Sequence, residues 1–324
     1  MYRKWGVGVD YLFVARGKRG DGFSNEPSAS HFLSVPQTAQ APEYTHKVRK
    51  SDWTKAVLEE AKGGTPNPNT SGDIVFFVHG FNNSQKVVLE RHRKIKAGLA
   101  ANGFDGALVS FDWPSADSAL NYLEDRVDAK LSAFRLVQDG VATFAALQEP
   151  DCRIDLHVLA HSMGCYVVRE AFDDADDRAR IAGKSWSVGQ IMFMAADVSV
   201  DSLAAGNPKS SSLYRHCARL TNYYNPRDDV LSVSAVKRVG VAPRAGRNGM
   251  GAPHHDKSAN VYCGARFRAQ PNQESVTAGH SWYFDDPIVM QDIFYTISGR
   301  FDRAEFPTRV HTDQGNLGLV PNLG

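Results

Sequence analysis

Five short apolar runs rich in β-branched and aromatic residues recur along the chain, separated by stretches of helical periodicity. They are DIVFFVH (73–79), GALVSFDW (106–113), IDLHVLA (154–160), GQIMFMAA (189–196) and LTNYYN (220–225). Strands that alternate with helices in this way predict an α/β fold, with a mostly parallel central sheet and helices on both faces. The helical stretches are 84–103, 116–148 and 163–172. In the first, Val88, Leu89, His92, Ile95 and Leu99 fall at three- and four-residue steps, and Gly103 is available for a left-handed cap.

Outside these runs the signals are sparser. Residues 7–15 read as antiparallel strand and 51–62 as helix, with GGTPNPNTSGD (63–73) a surface connection into the central strand. The Gly- and Pro-rich stretch 240–258 is too long for a tight turn, and long loops of compact enzymes often border the active site. The polar segment after Phe301 reads as a tail without a role. No internal repeat appears, so 1–324 reads as a single domain: a lead-in over 1–72, a catalytic core over 73–300 and the tail over 301–324.

Charge narrows the function. With 37 Lys+Arg against 36 Asp+Glu the net charge is +1, which leaves no electrostatic footprint for nucleic acid. RGKRG (16–20) reads as a solvated turn. No segment approaches 18 consecutive apolar residues, so no membrane span is expected. The N-terminal residues lack the apolar core and cleavage site of a signal peptide, and a cytoplasmic protein is the expectation. The four cysteines, 152, 165, 217 and 263, have no metal-type spacing, and 152 and 165 suit reduced, packed thiols.

The candidate chemistry centres on AHSMG (160–164), which follows an apolar strand and opens a helix. A serine in a sharp strand-to-helix turn has its Oγ lifted above the sheet edge, and the flanking positions Ala160 and Gly164 are small enough for such a turn. FFVHGFNN (76–83) places a second loop beside it. Gly80 lets that backbone turn, so the N–H of Phe81 and the N–H of Met163 are the expected oxyanion donors. Asn82 is a further candidate for substrate contact. Trp113 either lines the acyl or alcohol pocket or covers the core. His79 and His161 are expected to orient loops through hydrogen bonds.

The chain resembles an α/β-hydrolase, of a poorly characterised bacterial esterase/lipase-like branch. The resemblance rests on VHGFNNS (78–84), FDWPSADSALNYLEDRVDA (111–129), LAHSMGCYVV (159–168), AADV (195–198), YYNPRDDVLSVS (223–234) and GHSWYF (279–284), in family order. One departure is Ala160, where the usual pattern has glycine. The resemblance implies a serine nucleophile, an acid and a histidine in that chain order. His280, which precedes a helix expected over 288–298, then stands as base. Asp228 is the preferred acid, with Asp229 and Asp197 as alternatives; Asp229 would otherwise cap the following helix.

Ser162, His280 and Asp228 would together cleave a small-molecule acyl ester through an acyl-enzyme, chemistry that needs no metal or organic cofactor. His254, His255 and Asp256 invite a metal reading, but adjacent histidines of an extended segment point to opposite sides. An acyltransferase with the same triad, and an inactive binding protein on the same fold, are the competing readings.

Overall fold

The computed structural model describes residues 8–63, 72–115, 122–147, 154–182, 185–236, 242–271, 275, 277–313 and 315–322. Cys152 and the segments 116–121, 148–153 and 237–241 lie outside the described residues.

Among the described residues one sheet of eleven strands runs through the molecule, in the order β10-β11-β9-β8-β7-β6-β4-β5-β1-β2-β3. The strands are β1 (Val9–Arg19), β2 (Gly22–Pro36), β3 (Lys47–Val48), β4 (Gly72–Val78), β5 (Ala107–Asp112), β6 (Ile154–His161), β7 (Val188–Met194), β8 (Cys217–Tyr224), β9 (Ser258–Tyr262), β10 (Arg309–His311) and β11 (Leu317–Leu319). From β1 through β5, β4, β6, β7, β8 and β9 to β11 every pairing is parallel. Only the pairs β1–β2, β2–β3 and β10–β11 are antiparallel.

Helices on both faces explain the unbroken apolar runs. In β4, Ile74, Phe76 and Val78 enter one core while Val75 and Phe77 enter the other, as the two-residue period of a strand requires. The first core also takes Trp53 and Val57 of α1 (Lys50–Ala61) and Val167, Val168, Ala171 and Phe172 of α5 (Met163–Asp177). The second takes Ile95 and Leu99 of α2 (Gln85–Ala101) and Ile288, Val289, Met290 and Ile293 of the C-terminal helix Pro287–Ser298. The buried residues of α2 are Val88, Leu89, His92, Ile95 and Leu99, the stripe read from the sequence, and Gly103 follows with φ +95°.

Three expectations are corrected. The stretch 116–148 is not one regular helix: α3 (Tyr122–Arg135) passes into a π-helical turn over Leu136–Val141 before α4 (Ala142–Ala145). Arg16 is no member of a solvated turn. It lies within β1, 1% exposed, where the register with β2 shifts on either side of it.

The third concerns the segment after Phe301, which is no loose tail, since it supplies β10 and β11 at the sheet edge. Arg309 of β10 is buried against Asp292 at 2.6 Å, and Asp292 also accepts from Tyr223 Oη and Thr308 Oγ1. Asp292→Ala would strand that guanidinium in the interior. Removing one partner of a buried pair costs about 3–5 kcal/mol, so a marked fall in thermal midpoint is expected. A melt within 1–2 °C of wild type would contradict it.

Candidate active site

Ser162 lies between the end of β6 and the start of α5 with φ 56° and ψ −123°, a conformation that L-residues rarely adopt. The surrounding backbone holds it there. Its N–H donates to the carbonyl of Met194, and its carbonyl accepts from the amides of Cys165 and Asp197. Gly164 makes the turn possible by its closeness to the end of β4. A Cβ there would stand 2.3 Å from the carbonyl oxygen of Val78 and 2.5 Å from that of His79, so the first turn of α5 packs directly on the end of β4.

Met163 opens α5, and its amide is among those a helix leaves without an intrahelical acceptor. The loop after β4 lies alongside. The left-handed residue of that loop is Asn82, with φ 54°, rather than Gly80. Gly80 is required for a different reason: a Cβ on it would lie 2.8 Å from the Cβ of Ser162. Of the two asparagines, Asn82 is exposed and Asn83 is buried. Asn83 Nδ2 donates to the carbonyls of Gly80 (2.7 Å) and Phe81 (3.1 Å). Trp113 is fully buried, stacked on His79 with ring centroids 5.3 Å apart, and its Nε1–H donates to the His79 carbonyl. It packs against the loop after β4.

Beyond the strand-to-helix turn at Ser162, the elbow, His280 Nδ1 lies 2.7 Å from Asp228 Oδ2. Asp228 is fully buried, whereas His280 and Ser162 are each 7% exposed. The other oxygen of Asp228 accepts the amide of Leu231, so Asp228 also caps the helix Asp229–Val236, the role foreseen for Asp229. Asn225, absent from the sequence reading, braces both loops. Its carbonyl accepts the amide of Asp228, and its Nδ2 donates to the carbonyl of Gly279.

The two other aspartates point elsewhere. Asp229 is largely exposed and faces Arg247 at 3.3 Å, while Asp197 is buried against Arg244 at 3.3 Å. Arg244 and the helix Ala245–Asn248 belong to the long loop 240–258, which is thereby stapled next to the elbow. His255 stacks on Tyr214, with ring centroids 4.0 Å apart, and its Nδ1 accepts the amide of Lys257. His254 is exposed.

His161 joins the elbow to the histidine loop. Its Nε2 lies 2.8 Å from the carbonyl of His280, which can only accept, so the proton is on Nε2. The rings of His161 and His280 are 4.8 Å apart. Burial, followed by the charges of His280 and Arg91, holds His161 well below the ordinary histidine range. His79 and His92 are also lowered, again chiefly by burial.

These three histidines make stability depend on pH. The unfolded chain takes up their protons near pH 6.5 while the folded chain does not, so the folded state is disfavoured as pH falls below that value. Each can subtract up to about 1.4 kcal/mol per pH unit until its folded value is reached. Asp10 and Asp112 are lowered as well, and their contribution is lost only further down, below about pH 4. The thermal midpoint is therefore expected to be level between about pH 7 and 8 and to fall between about pH 6.5 and 5. A midpoint unchanged across that interval would refute the account.

The cysteines offer no competing nucleophile among the described residues. Cys165, Cys217 and Cys263 are free and buried. Burial pushes Cys217 up to about 12 and the other two well above the ordinary thiol range. Among the described residues no helix is long and apolar enough to cross a membrane.

No curated protein matches the sequence. Among solved structures the chain is similar to the phospholipase PlaB from Legionella pneumophila in complex with thio-NAD, at 15% identity and a TM-score of 0.30. That match covers 64% of this chain and 41% of the phospholipase, so the chain spans less than half of that protein's length. It is similar to the metagenome-derived lipolytic enzymes LipS and LipT at 14% identity and a TM-score of 0.35, over 69% of this chain and 93% of that one. It is similar to the carboxylesterase CesB (YbfK) from Bacillus subtilis at 11% identity and a TM-score of 0.32, over 92% and 94% of the two chains. Residues 65–294 match a family model described as an alpha/beta hydrolase of unknown function (DUF900). That match takes in Ser162, the loop after β4, Asp228 and His280, and the chain belongs to this alpha/beta hydrolase family.

Proposed function

We propose that the protein is a serine hydrolase that cleaves carboxylic ester or related acyl bonds. The observation that carries this reading is the buried His280–Asp228 contact at 2.7 Å, tied through His161, whose Nε2 lies 2.8 Å from the His280 carbonyl, to the turn that holds Ser162 at φ 56°. With Nδ1–H donated to Asp228, the lone pair of His280 is on Nε2, the atom needed to accept a proton.

The reaction runs in two halves. Ser162 Oγ attacks the acyl carbonyl and its proton passes to His280 Nε2. The amides of Phe81 and Met163 stabilise the oxyanion, and the C–O bond to the leaving alcohol breaks as His280 returns the proton to it. Water then attacks the acyl-enzyme, giving up a proton to His280 that finally returns to Ser162. Family membership and the site geometry support this assignment, and the substrate is proposed only as a small-molecule acyl ester.

Labelling with a fluorophosphonate tests it. Wild type is expected to label, and Ser162→Ala and His280→Ala are expected not to. A folded wild type that neither labels nor hydrolyses a panel of acyl esters would overturn the proposal. Adding an alcohol or amine acceptor and analysing products separates hydrolysis from acyl transfer.

A further inference from the structure

We propose that Arg16, Asp112, His79 and Asn83 form a buried brace that aims the amide of Phe81, which makes Asn83 and Arg16 positioning residues of the oxyanion site. The inference rests on the serine-hydrolase reading above and adds residues from outside the triad.

The brace acts through one peptide unit. In a trans peptide the C=O and the following N–H point in opposite directions. Whatever holds the carbonyl of Gly80 therefore sets the direction of the Phe81 amide. Two buried groups hold it: His79 Nδ1 at 2.8 Å and Asn83 Nδ2 at 2.7 Å. The acceptor is a carbonyl, so the His79 proton in this contact is on Nδ1. With that proton on Nδ1, His79 Nε2 accepts the amide of Trp113 at 3.2 Å, which anchors the ring to the end of β5, and Asp112 Oδ1 lies 3.1 Å from the same nitrogen. Burial holds His79 below its ordinary range even though Asp112 draws it the other way.

Arg16 closes the brace from β1. Its Nε donates to Asp112 Oδ1 at 2.7 Å. Its Nη1 reaches Asn25 Oδ1 and the Ser115 carbonyl, and its Nη2 makes longer contacts of 3.5 Å to the Asn83 carbonyl and Ser115 Oγ. Ser115 Oγ donates to the same Asn83 carbonyl at 3.4 Å. One guanidinium thus spans β1, the segment after β5 and the loop beside Ser162.

Stability alone gives a weak reason for such an ion pair. A well-packed apolar replacement of a buried pair is often neutral or stabilising, and the best-attested use of one is to specify geometry. Here the guanidinium reaches the Asn83 carbonyl and Asp112 lies against His79, so the pair meets the loop after β4 at two points. Lysine at position 16 could meet Asp112 but could not also span the Asn83 and Ser115 contacts, because it has no planar fork of donors.

The test compares wild type with Asn83→Ala, Asn83→Ser, Arg16→Lys and Arg16→Met, using three readouts. Fluorophosphonate labelling and kcat for an acyl ester should fall about 10–100-fold in Asn83→Ala, short of the loss on deleting an oxyanion donor outright. KM should stay within about twofold, because the interaction is realised in the transition state. Affinity for a trifluoromethyl ketone, whose adduct carries the oxyanion, should fall in parallel with kcat.

The third readout, hydrogen exchange of the peptide containing 79–84, should accelerate in all four variants. It needs no turnover, so it reports on the brace even if wild type proves inert, an outcome that would overturn only the parent reading. Arg16→Lys melting near wild type with reduced kcat supports the brace. Folded variants with kcat within twofold of wild type, a loss confined to KM, or unchanged exchange in 79–84 would overturn it. Asn83→Ser covers the case in which Arg16→Met fails to fold.

Discussion

Ser162→Ala is expected to lower acyl-ester hydrolysis by about 10⁶-fold while leaving the fold intact. Oγ is the only atom removed, and alanine keeps the backbone contacts to Met194, Cys165 and Asp197. Ser162→Gly carries a second expectation. A non-glycine residue in this region of φ/ψ stores about 1–3 kcal/mol, which glycine does not. The glycine variant should therefore be as inactive as the alanine variant but melt several degrees higher. Activity within tenfold of wild type in either would remove Ser162 as nucleophile. A glycine variant that melts no higher would mean that the turn is unstrained.

Asp228→Asn is expected to cost about 10⁴-fold in kcat, for a reason specific to this site. Oδ1 of Asp228 must accept the amide of Leu231, and Oδ2 must accept from His280 Nδ1. An asparagine can satisfy only one of these as an acceptor. If its oxygen stays on Leu231, its NH₂ faces Nδ1 and forces the His280 proton onto Nε2, the position that has to be empty for base catalysis. The exposed Asp229, replaced in the same way, should change kcat by less than about threefold. Asp197→Asn, which leaves a buried Arg244 short of its charge partner, should lower the melting point more than it lowers kcat. A tenfold larger loss in kcat at Asp197 or Asp229 than at Asp228 would reassign the acid.

Much of the fold could be read locally. The five apolar runs became β4 to β8, because strands buried on both faces have no polar side to interrupt them. The stripe of α2 and the cap at Gly103 depend on residues within four positions of one another, and they emerge as read. The elbow belongs to the same class. A small-x-Ser-x-Gly stretch between strand and helix contains its own geometry, although the need for Gly164 comes from the carbonyls of β4, far away in sequence.

What the sequence could not determine are choices among equivalent local signals. Three aspartates followed strands in plausible positions, and only tertiary packing set Asp228 against His280, Asp197 against Arg244 and Asp229 toward solvent. Asn82 was the asparagine read as a candidate, and only the path of the loop turned its neighbour Asn83 inward. Arg16 sat in a basic cluster that read as surface, because its partner Asp112 is 96 positions away and the two meet only when β1 and β5 pair in parallel. The edge strands β10 and β11 carry too few apolar residues to announce themselves, and they form because β9 offers an unpaired edge. By itself the sequence determined elements and the local turn that carries Ser162, since backbone sterics and apolar periodicity act over a few residues. Only the tertiary structure decided which buried charges and donors meet, since that depends on strand order and on chain segments brought together across long loops.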